Sequence, residues 1–113
     1  MRSRGFLVLL MALLMLALPT AASATVRLIH VTSPVYKGSY ATLTVSEPPA
    51  HRCSITVNYK SGSSGAQGLY PKTPTAGRVS WTWMVGTRTT SGRWPIVVNC
   101  GTAGTLRTSF VVW

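Results

Sequence analysis

Alternation of apolar and polar residues with a period of two recurs along this chain, and it constrains the fold more than any other feature. Ala41-Thr42-Leu43-Thr44-Val45 alternates, and Cys53-Ser54-Ile55-Thr56-Val57-Asn58-Tyr59-Lys60 does so for eight residues. Val79 to Val85 follows the same rule, interrupted by Met84, and Trp94 to Cys100 and Leu106 to Val112 complete the set. Side chains on a strand point alternately to opposite faces, so each stretch reads as a strand with one face on a core and one in water. A less regular opening strand is expected at about Val26 to Val31. Turn-forming clusters separate the stretches: Ser33-Pro34, Glu47-Pro48-Pro49, Ser61 to Gly68, Pro71 to Gly77, Gly86 to Gly92 and Gly101 to Gly104. No window carries an apolar stripe of helical period. The pattern predicts an all-β fold, an immunoglobulin-like β-sandwich of about seven short antiparallel strands, with a small closed barrel as the second architecture. Pro95 lies inside a strand pattern and lacks an N–H. It therefore has to face a sheet edge or a bulge.

The first 24 residues belong to a different class of segment. Met1-Arg2-Ser3-Arg4 is followed by thirteen consecutive apolar residues, Phe6 to Leu18, and by Ala22-Ser23-Ala24. A basic stub, a short apolar run and a small-x-small end make a secretory signal peptide. At about 1.5 Å per residue the run covers roughly 20 Å, short of the roughly 30 Å hydrocarbon core of a bilayer, which disfavours the rival reading as an uncleaved anchor. The reading is thus a signal peptide over 1–24 and one domain over 25–113, secreted or at the cell surface, with no transmembrane segment after cleavage. No Cys follows the cut, so a lipoprotein anchor is not expected. Cleavage would reduce the net charge of +10 by two Arg, to +8 over 89 residues.

Charge also limits chemistry. The chain has eleven Lys or Arg, a single Glu (Glu47) and no Asp. One carboxylate cannot supply a glycosidase pair, an EF-hand or a two-metal centre, and a Ser-His-Asp triad has no Asp to use. Catalysis is therefore not expected, nor any cofactor. A structural zinc site would draw on Cys53, Cys100, His30 and His51, whose spacing matches no finger or ribbon pattern.

In an exported chain, two cysteines invite a disulfide. Cys53 opens one alternating strand and Cys100 closes another, each on its strand's apolar phase. In antiparallel neighbours the start of one strand lies beside the end of the other, so a Cys53–Cys100 bond between adjacent strands, roughly C and F in immunoglobulin lettering, is predicted. A redox role is not favoured, since no C-x-x-C is present.

Trp81, Trp83 and Trp94 share the inward phase of their strands and are read as core, whereas Tyr36, Tyr40, Tyr70 and Trp113 are the candidate surface aromatics. The nine basic residues after the leader form no run resembling a nucleic-acid arm. Lys60, Lys72 and Arg78 flank one long connection and Arg88 and Arg93 another, and together with Tyr70 beside Lys72 these six are the candidate ligand contacts. The field of so many unopposed cations attracts polyanions, either an anionic cell-wall or extracellular polymer or, nonspecifically, nucleic acid and anionic membrane.

Ala41 to Val45, Cys53 to Gly62, Gly68 to Thr73, Val79 to Trp83, Val85 to Thr90 and Trp94 to Cys100 together resemble a family of bacterial secreted immunoglobulin-like modules. The similarity spans about two thirds of the expected mature domain. It implies a sandwich closed by a Cys53–Cys100 disulfide and carries over no catalytic residue. The functional expectation is a non-enzymatic binding or structural domain at the bacterial envelope or on an extracellular polymer. Two alternatives are a cationic protein acting on polyanions by charge alone and a secreted inhibitor.

Overall fold

The computed structural model describes residues 26–48 and 51–113. The expected signal peptide, 1–24, lies outside the described residues. Seven strands follow in chain order: β1 (Arg27–Val31), β2 (Tyr40–Ser46), β3 (Ser54–Tyr59), β4 (Gly62–Ser63), β5 (Arg78–Met84), β6 (Gly92–Asn99) and β7 (Thr105–Val112). They form a three-stranded sheet, β1-β2-β5, and a four-stranded sheet, β4-β3-β6-β7, with every neighbouring pair of strands antiparallel. In immunoglobulin lettering these are A-B-E and C′-C-F-G. Two separate sheets make a sandwich, and the closed barrel is ruled out. Among the described residues no helix is long and apolar enough to cross a membrane.

The inward phase of each strand builds the core. Ala41, Leu43 and Val45 of β2 pair in register with Trp83, Trp81 and Val79 of β5, and all six are buried. Ile55 and Val57 of β3 meet Val98 and Ile96 of β6, with Phe110 and Val112 of β7 beside them. Met84, which breaks the apolar–polar alternation, points to solvent between buried Trp83 and Val85, so the spatial period of two is intact. Outward threonines and serines pair across the β2–β5 ladder, as in Thr42 Oγ1 with Thr82 Oγ1 at 2.9 Å and Thr44 Oγ1 with Ser80 Oγ at 2.7 Å.

Cys53 and Cys100 are disulfide-bonded. The β3–β6 register ends at Ser54↔Asn99, so the bond joins the next cross-strand pair, within one sheet between strands C and F as the strand phases require. Pro95 is reconciled in the same register. Strand β6 is central, but its β3 ladder stops at Val57↔Ile96, one residue short of Pro95, which is paired only on the β7 side, to Ser109. A central strand therefore tolerates proline because it is locally an edge there.

Three details depart from the sequence reading. Strand β4 falls inside Ser61 to Gly68, read as turn. At two residues it is too short to show a period. Trp94 keeps the inward phase but lies at the end of the sandwich, half-buried against Tyr59, whereas Trp81 and Trp83 are fully enclosed. The connections also cover two sheet edges. Residues 33–37 run along β7, with Val35 N–H donating to Val111 O at 2.9 Å and Trp113 N–H to Val35 O at 3.0 Å. The segment leading into β5 lies against that strand, anchored where the indole N–H of Trp81 donates to Tyr70 O at 2.8 Å.

Gly68 makes this second crossing possible. Its φ is +95°, and a Cβ there would stand 2.1 Å from the backbone oxygen of Thr82. Gly68→Ala is expected to cost about 1–3 kcal/mol, because both the left-handed backbone and a clash with main chain must be relieved. Gly62→Ala, also at positive φ but facing open space, supplies the comparison. In denaturant melts of the two variants the Gly68 change must be the more damaging, and equal midpoints would contradict the close approach.

Candidate anion-binding cleft

At one end of the sandwich the β3–β4 turn faces the β5–β6 connection. Between them lies a cleft of about 520 Å³ lined by Tyr59, Lys60, Ser61, Gly86, Arg88, Thr89 and Thr90. The sequence sets its walls. Tyr59 is the last inward-phase residue of β3, placed so that its ring packs on the core while its hydroxyl reaches the rim. Its ring meets Trp94 (centroids 6.3 Å apart, planes at 81°) and Phe110 (6.1 Å) edge-on or tilted. The opposite wall is pinned by Trp94, whose indole N–H donates to Thr90 O at 2.8 Å, and by a turn in which Thr89 N–H donates to Gly86 O at 3.1 Å.

The Tyr59 hydroxyl accepts a hydrogen bond from the Trp83 indole N–H at 3.2 Å. An indole nitrogen can only donate, so the phenol keeps its own hydrogen for another acceptor. Burial pushes the phenol above its ordinary value of 10.0, outweighing the Trp83 bond, which lowers it. Tyr59 is thus a neutral donor at physiological pH. Lys60 and Arg88 are exposed on either wall, and no carboxylate side chain is available to neutralise them. The chain's one acid, Glu47, follows the end of β2 that pairs with the start of β5, at the far end of the sandwich. The cleft therefore offers one cation from each wall, a phenolic donor and two threonine hydroxyls around a space of small-ligand size.

Of the six candidate contacts, the fold brings together Lys60 and Arg88. Tyr70 and Lys72 form a separate pair, with Lys72 Nζ 5.0 Å from the Tyr70 ring centroid and donating to Ser80 O at 2.8 Å. Arg78 begins β5 opposite Ser46, away from Lys60, and Arg93 lies on the outer face of β6 with Nη1 donating to Ser109 Oγ at 3.0 Å. Tyr59, Thr89 and Thr90 were not among the sequence candidates. The available signal was Tyr59's place at the end of an inward phase. The surface aromatics Tyr36, Tyr40, Tyr70 and Trp113 are all more than half exposed. Tyr36 and Trp113 make an edge-to-face pair with centroids 5.5 Å apart, and neighbouring Gly38 lies against Thr87 of the β5–β6 connection.

No protein-family model and no curated protein matches this chain. Among solved structures, it is similar to a conjugative transposon lipoprotein from Bacteroides eggerthii, at 10% identity and a TM-score of 0.47 over 81% of this chain and 98% of that one. It is also similar to a chimeric titin Z1Z2 tandem, at 18% identity and a TM-score of 0.39 over 78% of this chain and 50% of the other. The chain thus spans about half the length of the titin tandem. At this level of likeness neither protein supplies a ligand or an activity.

Proposed function

We propose that this chain is an exported, non-catalytic binding domain of the bacterial envelope or extracellular space, which holds an anionic group of a polymer in the Lys60–Arg88 cleft. The observation that carries the reading is the meeting of two cations from different connections, with no carboxylate to pair with them, around a phenol whose hydrogen is free. Arg88 offers a planar fork of donors and Lys60 a point charge, a combination suited to phosphate or carboxylate oxygens. The Tyr59, Thr89 and Thr90 hydroxyls complete a set of neutral donors. The export reading rests on the N-terminal sequence pattern, and the non-catalytic reading on the single carboxylate at the opposite end of the fold.

The test is retention of the protein on purified cell walls, duplex DNA and anionic vesicles across a salt series, beside a Lys60→Ala/Arg88→Ala variant. Wall retention that persists at about 0.15 M salt and falls about tenfold or more in the variant is the expected result, since hydrogen bonds to charged groups are each worth about 1.5–3 kcal/mol. The second reading, binding by net charge alone, is favoured by the scatter of bases over the whole surface. It requires an affinity that drops by about 0.9 log unit per phosphate contact per log unit of salt on DNA, with the cleft variant weakened no more than any other double charge removal. No retention on any of the three surfaces at about 0.15 M salt would eliminate both.

A further inference from the structure

The end of the sandwich opposite the cleft holds an unusual group of side chains. Glu47 is 5% exposed and its side chain is fully enclosed. Neither of its carboxylate oxygens has a hydrogen-bond partner among the described residues. His51 Nδ1 stands 3.5 Å from Glu47 Oε2 and is likewise without a hydrogen bond. A carboxylate oxygen of Glu47 and the sulfurs of Cys53 and Cys100 all lie within 4.8 Å of one another. Burying a carboxylate without donors is costly and needs a compensating partner. Nearby are two sulfurs and an imidazole nitrogen, a donor set that suits a thiophilic divalent cation.

We propose that reduction of the Cys53–Cys100 disulfide opens a site for such a cation, zinc being the type, with Cys53, Cys100, Glu47 and His51 as its four ligands. The steps balance. A dithiol or phosphine reductant supplies two electrons, two protons are taken up, and the S–S bond becomes two thiols while the reductant is oxidised. The cation then binds both sulfurs as thiolates and releases two protons, Glu47 adds a third negative charge, and neutral His51 closes the tetrahedron. Zinc bound at about 2.3 Å to sulfur and about 2.0–2.2 Å to nitrogen or oxygen places its ligands roughly 3.3–3.8 Å apart. Glu47 is already within reach of both sulfurs, whereas His51 touches the group only through Glu47, so the site forms when the cut bond lets the sulfurs separate and the His51 imidazole turns toward them. His51 is partly exposed, whereas the Glu47 side chain is enclosed, so the imidazole is the member of the group that solvent reaches. In the oxidised state the sulfurs carry no thiolate, so the disulfide blocks the site. The positions 47, 51, 53 and 100 follow no zinc-motif spacing, because strand pairing assembles the site.

The proposal is tested by titrating the protein with Co²⁺, with and without a phosphine reductant, and following the thiolate-to-cobalt charge-transfer band and the visible bands of tetrahedral cobalt. One equivalent should bind to the reduced protein, be displaced by Zn²⁺, and give no such bands with the oxidised protein. Glu47→Gln and His51→Ala should each weaken binding about tenfold or more, since even outer-shell partners of metal ligands are worth 10–100-fold. Absence of the charge-transfer band in the reduced protein overturns the proposal. Binding by both variants as tight as that of the unaltered chain also overturns it, since that would mark a simple dithiol. Should reduction unfold the domain, one equivalent of Zn²⁺ must restore its far-ultraviolet strand signal, and failure to do so is equally decisive.

Discussion

Trp83→Ala is expected to destabilise the domain by about 3–5 kcal/mol, the range for removing a large aromatic from a closed core. Trp83 is fully buried between the two sheets toward the cleft end, opposite Ala41 in the β2–β5 ladder and edge-on to Phe110 of the facing sheet with centroids 5.7 Å apart. Ala41, its cross-strand partner, is too small to fill the vacated volume. The substitution also removes the indole N–H that the Tyr59 hydroxyl accepts, so the cleft wall loosens along with the core. At about 4–8 °C per kcal/mol for a domain of this size, the melting temperature should fall by about 12–40 °C. Trp94→Ala should cost markedly less, because that ring is only half-buried. Equal losses at the two positions in thermal or denaturant melts would place Trp94 in the core on the same footing as Trp83.

Loss of the disulfide is the second large effect. Cys53 and Cys100 are separated by 47 positions, and closing a loop of that length stabilises by about 4 kcal/mol in the chain-entropy model. Net stabilities run at roughly 0.05–0.15 kcal/mol per residue, so for the expected mature domain this is a large share of the total. The Cys53→Ser/Cys100→Ser variant should therefore be largely unfolded at 37 °C or have a guanidinium midpoint far below that of the parent. A midpoint within experimental error of the parent would mean that β3 and β6 are held without the bond.

The strands were legible because burial on one face writes a period of two into the chain, and the C–F position of the disulfide followed from the phase of Cys53 and Cys100 within it. Strand β4 was not, because Gly62 and Ser63 are too few to repeat anything and are fixed only by pairing with Tyr59 and Asn58. The basic residues show the other limit. Lys60, Lys72 and Arg78 are neighbours along one connection, yet that connection crosses from one sheet to the other and delivers them to different places. Arg88 arrives beside Lys60 from the β5–β6 connection, 28 positions further along the chain, a meeting decided by topology alone. Cys53, Cys100, His30 and His51 fit no zinc motif by their spacing along the chain, and Glu47, which the fold brings to the two cysteines, stands outside that set.

The enclosure of Glu47 has a colloidal consequence. With the only acidic side chain withdrawn from solvent, the charged side chains at the surface are the nine Lys and Arg of the described residues, all of one sign. Two copies approaching within a Debye length, about 8 Å at physiological salt, repel from every direction. That repulsion guards the edge strand β1, where Leu28 and Ile29 are exposed and Arg27 is the first residue. A polyanion that neutralises the surface removes the guard in the same act. On the proposed function, polymer binding and self-association would thereby be coupled: the protein should stay dispersed when alone and condense along an anionic polymer once its charge is matched.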